Sequence, residues 1–356
     1  MIEVNHLTKK YGDHTAVSDL SFTIEKGQIY GFLGPNGAGK STTMNIMTGC
    51  LAATEGEVKI GGYDIFEEPE AAKKLIGYLP EIPPLYIDQT PREYLTFVAE
   101  AKGIRGKAAL AAAIDEVVEE THIEDVQYKL IRHLSKGYRQ RVGIAQALLG
   151  NPEVIILDEP TVGLDPIQII EIRELIQKLG EKHTVILSSH ILPEVQAICQ
   201  KVLIIYKGKL VAFDEPENLQ RTLSGDSTIE LTVEAPMAAF EGVAIQIPQI
   251  NKVEKTADGV NKDKATGSLP RISATLHVAA DEIDEVCRRL FFAFAELGYP
   301  ILQMTPVKAS LEDIFLELTG GNGTPENEKK ADKPKGWLAR LNAEEEEEDE
   351  DKEEEA

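Results

Sequence analysis

The stretch LGPNGAGKST, Leu33 to Thr42, sets Gly34, Pro35, Asn36, Gly37, Ala38 and Gly39 ahead of Lys40, Ser41 and Thr42. Gly34, Gly39, Lys40 and Ser41 fit the pattern of Gly, four arbitrary residues, Gly, Lys and Ser or Thr, between apolar IYGFL and a helical STTMNIMTG. Glycines let successive backbone N–H groups turn inward around an anion, and the helix start adds the positive end of its dipole. Lys40 can then neutralise phosphate oxygens, and Ser41 can offer a hydroxyl to Mg²⁺. A coincidental glycine-rich turn would account for neither flank. The bend is therefore expected to hold the phosphates of a nucleotide.

A second group of acids follows the apolar run VIIL: Asp158, Glu159 and Pro160. Asp158 can hold a metal ion through water while Glu159 orients and deprotonates an attacking water, the division that phosphoryl transfer to water requires. Alone, two acids after a strand would read as a solvated turn. A third element is LSKGYRQR, Leu134 to Arg141, leading into the helical GIAQALLG. Ser135 could be a helix N-cap, although capping does not explain Gly137. Asp165 in TVGLDP could cap the helix opened by Pro166, and His190 in LSSHIL could be a structural histidine.

The elements that must position these residues follow an alternating rhythm up to about Asn218. Short apolar runs, VIIL (Val154 to Leu157), TVIL (Thr184 to Leu187) and VLIIY (Val202 to Tyr206), alternate with longer helical patterns. Continuously apolar strands are covered on both faces, so a mainly parallel sheet is expected. Lys207-Gly208 reads as a tight hairpin turn. Between Thr90 and Thr121 the chain is Ala-rich and helical, and reads as an inserted lobe. Met44 and Met47 are expected in the core.

Beyond Leu223 the composition changes. STIELTVEA and RISATLHVA read as strands, Asp281 to Leu297 as a helix, ILQMTPV as a strand, and SLEDIFLEL as a closing helix capped by Ser310. After Thr319 come Gly, Pro and charge without apolar spacing, which cannot offset ordering entropy, so the tail is expected to be disordered.

Length 356 suggests about two domains. The formal charge is -23, of which the segment from Glu344 to Ala356, with eleven acids and one lysine, supplies -10. A chain this acidic, with no long basic run, is a poor partner for nucleic acid. Cys50, Cys199 and Cys287 stand apart without paired spacing, so free buried thiols are expected rather than a disulfide or zinc framework. No apolar run of membrane-spanning length and no signal-peptide core is seen, which points to the cytoplasm.

Taken in order, the phosphate loop, LSKGYRQR, DEP and the later His make the sequence resemble the ATP-binding subunit of an ABC transporter, from Met1 to about Leu223. The resemblance implies an α/β fold: a P-loop NTPase of ABC type with an inserted helical subdomain and a small C-terminal α+β domain. The expected divisions are 1–223 for the ATP-binding domain, with its helical subdomain at about 82–150, then 224–319 and a tail at 320–356.

Several residues gain implied roles. Tyr11 looks like the aromatic that stacks on adenine, and the loop from Gly34 to Thr42 like the nucleotide cradle. Glu159 and His190 correspond to the base and the switch histidine. Asp165 corresponds to the D-loop, and Ser41 and Asp158 to the Mg²⁺ site. Two departures stand out. The signature usually reads Leu-Ser-Gly-Gly-Gln, and here Lys136 and Tyr138 replace the first Gly and the Gln, while Ser135 and Gly137 remain. Glu81 in IGYLPEIPPLY occupies the position of the usual Gln, a metal ligand, and is charged.

The implied mechanism is a head-to-tail homodimer that sandwiches ATP between Lys40 and Ser41 of one copy and Ser135 and Gly137 of the other. Hydrolysis would drive a separate transmembrane permease at the cytoplasmic face of the membrane, contacted near Glu81 and the helical lobe. Glu81, the YLPE wording and SLEDIFLEL followed by Thr-Gly are similar to the branch serving ABC-2 type exporters. The alternative is a soluble ABC ATPase in nucleic-acid or ribosome-related work. Such proteins usually carry long coiled-coil insertions or two nucleotide units, and neither is present in this sequence. A nucleotide-sensing module without turnover is disfavoured by Asp158, Glu159 and His190.

Overall fold

The computed structural model describes residues 1–223, 227–255, 269–279 and 282–307. The chain opens with a hairpin of β1 (Ile2–Tyr11) and β2 (His14–Ile24). In β2, Leu20, Phe22 and Ile24 are buried and Ser21 and Thr23 exposed, the two-residue alternation of a strand with one wet face. β3 (Ile29–Leu33) is buried at every residue and runs into the glycine-rich turn and α1 (Lys40–Met47). β4 (Glu55–Ile60) and β5 (Tyr63–Asp64) complete an antiparallel sheet in the order β2-β1-β4-β5. The sequence rhythm suggests a mainly parallel arrangement throughout this half. These strands depart from it because tight turns join β1 to β2 and β4 to β5, and such links permit only antiparallel neighbours.

After α2 (Pro69–Lys74) and β6 (Ile76–Leu79), the chain enters the helical lobe. α3 (Pro91–Ala101) opens with a capping box, in which Thr90 accepts from the Glu93 N–H and Glu93 accepts from the Thr90 N–H. α4 (Lys107–Glu120) follows, then α5 (Lys136–Leu148), capped by the Ser135 side chain. The three helices pack on one another, and α5 also lies against β6. α5 is thus wedged between lobe and sheet.

β7 (Val154–Leu157), α6 (Pro166–Gly180), β8 (Thr184–Ser189), α7 (Leu192–Ile198), β9 (Lys201–Tyr206) and β10 (Lys209–Asp214) follow in turn. The second sheet has the order β10-β9-β3-β8-β7-β6, with β9, β3, β8, β7 and β6 parallel. β10 turns back on β9 through Lys207 and Gly208, both at positive φ (49° and 81°), as a right-twisted two-residue hairpin requires. This topology positions the site. β3, β8 and β7 are adjacent and parallel, so the loops leaving their carboxyl ends meet at one edge of the sheet. Those loops are the glycine-rich turn, His190, and Asp158 with Glu159. Met44 and Met47 lie fully inside the core beneath them.

α8 (Pro216–Leu223) leads to a third sheet. β11 (Ser227–Glu234), α9 (Met237–Gln246), β12 (Ile250–Lys255), β13 (Arg271–Val278), α10 (Ile283–Glu296) and β14 (Ile301–Val307) form a βαββαβ unit with strand order β12-β13-β11-β14. This is the ferredoxin-like arrangement, with its own core around Ile229, Leu231, Leu276 and the stacked Phe240 and Phe294. The sequence reading lacks α9 and β12. MAAFEGVAIQ is apolar nearly all round, so no polar face marks a helical period, and INKVEK has only two apolar residues. The expected helix at Asp281 to Leu297 is observed as Ile283–Glu296. The expected closing helix with its Ser310 cap and the expected disorder at 320–356 lie outside the described residues. Cys199 is buried and Cys287 half-buried, while Cys50 is exposed, contrary to three buried thiols. Among the described residues, no helix is long and apolar enough to cross a membrane.

Candidate functional site

At the end of β3 the chain passes beneath β9. A Cβ on Gly34 would collide with the carbonyl oxygen of Ile205, so a side chain is barred there. Gly39, the N-cap of α1, has φ 107°, a conformation only glycine holds without strain. Between them the loop closes on Lys40, whose side chain is 6 % exposed. Lys40 Nζ donates to the Gly34 carbonyl at 2.7 Å and to the Pro35 carbonyl at 3.5 Å, and lies 3.5 Å from Glu159 Oε1. The ammonium is held at the mouth of the helix, ready for an anion.

The acids are fixed from the neighbouring strands. The Asp158 N–H donates to the Leu79 carbonyl at 2.8 Å, and Asp158 Oδ1 accepts from Ser188 Oγ at 2.6 Å and Ser41 Oγ at 3.2 Å. The same Ser188 hydroxyl oxygen accepts the Glu159 N–H at 2.8 Å. Glu159 has φ 48°, a left-handed backbone that costs a non-glycine residue about 1–2 kcal/mol and persists only where the surroundings over-determine it. His190 Nδ1 lies 2.8 Å from Glu159 Oε2. A carboxylate can only accept, so Nδ1 carries the hydrogen and Nε2 is left out of that bond. Behind the site, Tyr78 donates to Asn45 Oδ1 at 3.2 Å. Burial first, and then the Asp158 charge, pushes the Tyr78 phenol well above its ordinary pKa.

Among these groups lies a cleft of about 450 Å³, lined by Tyr11, His14 and Ala16, by Pro35 to Thr42, and by Glu81, Glu159, Val162 and His190. Of the residues expected at the phosphate end, Pro35 to Thr42, Glu159 and His190 line it together with Tyr11 and Glu81; Gly34 and Asp158 do not line it, and Asp158 reaches it through its bond from Ser41. Sequence reasoning missed Ser188, His14, Ala16 and Val162. The two hydroxyls preceding His190 in LSSH were the available signal for Ser188, since serines at the end of a buried strand need partners.

The signature lies elsewhere. Ser135 and Gly137 line a separate cleft of about 430 Å³ with Tyr138, Asp165 and Gln168, and the two clefts share no lining residue. Ser135 accepts from the Tyr138 N–H at 3.3 Å, and Asp165 accepts from the N–H groups of Ile167 and Gln168 at 3.1 and 2.9 Å. Both cap helices, as their sequence context permits. Tyr138 donates to Asp125 at 3.0 Å, and that bond raises its pKa. Arg141 donates to Glu171 at 2.8 Å and to the Thr121 carbonyl at 3.0 Å, which ties α5 to α6 and to the end of α4. The exposed Lys136 packs its ammonium against Gly163 of the TVGLDP turn. The start of α5 is thus a braced surface that lines a cleft of its own.

The oxygen donors Ser41 Oγ and Asp158 Oδ1 suit a hard divalent cation that completes its shell with phosphate and water. Among the described residues no cluster of three or more His, Cys, Asp or Glu could hold a metal without such help.

Comparison with known proteins bears on this geometry. Residues 17–162 match the family model described as ABC transporter. The chain is 35 % identical over 329 residues to the bacitracin transport ATP-binding protein BcrA of Bacillus licheniformis, covering 90 % of this chain and 98 % of that one. It is 33 % identical over 322 residues to the linearmycin resistance ATP-binding protein LnrL of Bacillus subtilis (strain 168), with 90 % and 98 % covered. Among solved structures it is similar to the dimeric post-hydrolysis state of the ATP-binding cassette MJ0796 bound to ADP and Pi. That match has a TM-score of 0.55 and 26 % identity, covering 60 % of this chain and 98 % of the other.

Proposed function

This chain belongs to the ABC transporter ATP-binding subunits, a family of ATPases, and from that premise we propose that it hydrolyses ATP at Glu159 within a homodimer that powers export through a separate membrane permease. The observation carrying this reading is the Glu159 carboxylate, 9 % exposed, set between Lys40 and His190 at the phosphate end of the cleft. In the proposed reaction, Tyr11 stacks on adenine and the loop from Gly34 to Thr42 wraps the phosphates. Lys40 balances their charge. Glu159 takes a proton from the attacking water as the oxygen bonds the γ-phosphorus and ADP departs. His190 orients Glu159 and contacts the γ-phosphate. Ser41, Asp158 and Glu81 would hold Mg²⁺, which neutralises charge building on the phosphate oxygens.

The separation of the two clefts supports the dimer. Ser135, Gly137 and Tyr138 line a cleft that shares no residue with the one holding the same chain's Lys40, and a second copy placed head to tail could bring them, with Lys136, to that site. Asp165, beside Ser135, would then sit at the dimer interface. Export as the direction rests on relatives named for bacitracin transport and linearmycin resistance, together with the ABC-2-like features of the sequence. In this reading 1–223 is the ATP-binding domain, 224–319 an accessory domain and 320–356 an acidic tail. The protein attaches to the cytoplasmic face of the membrane through its permease, contacted near Glu81.

The test is Glu159→Gln. The variant should bind ATP as the parent does, release no phosphate above background, and elute as a dimer with ATP but not with ADP. Ordinary turnover in this variant would falsify the assignment of the base.

A further inference from the structure

Glu194 is an acid with no part in the scheme above. It is 6 % exposed and stands third in α7. A glutamate at that place commonly turns back to accept the N–H of the residue before its helix, as Glu93 does for Thr90. Glu194 does not. The Ile191 N–H goes instead to Ser189 Oγ at 3.0 Å, and Glu194 reaches across the chain, where Oε2 accepts from Thr161 Oγ1 at 2.6 Å and from Ser189 Oγ at 3.5 Å. Burying a carboxylate is costly unless hydrogen bonds satisfy it, and capping α7 gives no reason for this one.

The two hydroxyls belong to the two turns that matter. Thr161, itself 5 % exposed, follows Glu159 and Pro160, while Ser189 precedes His190. One carboxylate oxygen therefore joins the turn bearing Glu159 to the turn bearing His190, whose side chains meet at 2.8 Å. Glu159 needs restraint on both sides to keep its left-handed backbone. Ser188 holds it from the strand side through the Glu159 N–H. The Thr161–Glu194 bond holds the chain just beyond it.

We propose that Glu194 is a positioning residue for hydrolysis: through Thr161 and Ser189 it fixes the mutual placement of Glu159 and His190 without touching nucleotide. The proposal rests on Glu159 acting as the base.

The experiment compares Thr161→Val, Thr161→Ser and Glu194→Met in the full-length chain, with steady-state ATP turnover, nucleotide affinity and thermal unfolding measured on each. Thr161→Val keeps the shape and removes the hydroxyl. It should lower kcat about tenfold or more at a KM for ATP within about twofold, because small displacements of a catalytic group cost rate before they cost binding. Thr161→Ser should restore turnover, since its hydroxyl reaches the same carboxylate. Glu194→Met, which keeps the length and removes the acceptor oxygens, serves where Thr161→Val does not fold, and should lower kcat at unchanged KM. Wild-type kcat in the variants that fold overturns the proposal. So does loss of kcat, affinity and stability together, with no rescue by Ser. Glu159→Gln is run alongside: if it turns over, the premise fails, whereas if it is silent while Thr161→Val is normal, only the role of Glu194 fails.

Discussion

The two oxygens of Glu159 are claimed by different parts of the chain: Oε2 lies 2.8 Å from Nδ1 of His190, and Oε1 lies 3.5 Å from Nζ of Lys40. The first partner directly follows β8, and the second is the first residue of α1. A triphosphate entering the cleft competes with Glu159 for Lys40 and leaves His190 as its remaining side-chain partner. His190→Ala should therefore lower kcat by about 10²-fold, within the usual contribution of a group serving acid–base chemistry, while ATP affinity changes little. Phosphate release and equilibrium nucleotide binding, measured on one preparation, separate the two effects.

Lys40→Ala removes a buried cation that also satisfies the Gly34 carbonyl. Its loss should weaken ATP binding by about tenfold or more, since a hydrogen bond to a charged group is worth about 1.5–3 kcal/mol. Calorimetric titration with Mg²⁺-ATP checks this. An unchanged affinity would count against the phosphate cradle.

If each ATP site takes Lys40 from one copy and Ser135 from the other, two dead variants can rescue each other. Lys40→Ala and Ser135→Arg should each be inactive alone. Mixed in equal amounts, random pairing gives half heterodimers with one intact site apiece, so about a quarter of parental turnover should return if sites act independently. A mixture as silent as its components argues against sites shared between chains.

Lys102 offers a pH-dependent test of the helical lobe. Its Nζ donates to the carbonyls of Gln146, Ala147 and Leu149 at 3.2, 3.1 and 2.8 Å, closing the end of α5 while the stem stays exposed. Burial of the ammonium among these groups pushes its pKa down to about 8. An unfolded lysine titrates near about 10.4, so between those values the unfolded chain binds more protons, and the stability of the parent relative to Lys102→Met should rise with pH. Below pH 8 the difference should be flat. At neutral pH the variant should be less stable by about 1–3 kcal/mol, the cost of orphaned carbonyls. Urea unfolding at pH 7 and 9.5 measures both.

The chemistry was legible in the sequence where it depends on neighbours along the chain. Gly39 before Lys40 and Ser41, and Asp158-Glu159-Pro160 after VIIL, are local patterns, because a phosphate loop and a strand-end acid pair are each built within about ten consecutive residues. The parallel strands were legible for the same reason: continuous burial on both faces leaves a continuous apolar run, and β7, β8 and β9 fall on those runs. Where burial is one-sided, or where apolar residues run round a helix that buries only some of them, the signal failed, as in the antiparallel first sheet and in α9 and β12.

Which residues meet across the fold was a different matter. That Ser188 bridges Asp158 and the Glu159 N–H, that Glu194 turns from its own helix to Thr161, and that Ser135 stands in a different cleft from Lys40 are relations between segments tens of residues apart. No local pattern encodes them. They arise because parallel packing brings the ends of β3, β7 and β8 to one edge of the sheet, while the start of α5, packed with lobe and sheet, lines a second cleft with the start of α6. Sequence alone specified the reactive groups and the strands that bear them; the tertiary structure decided their distances, partners and shared or separate clefts.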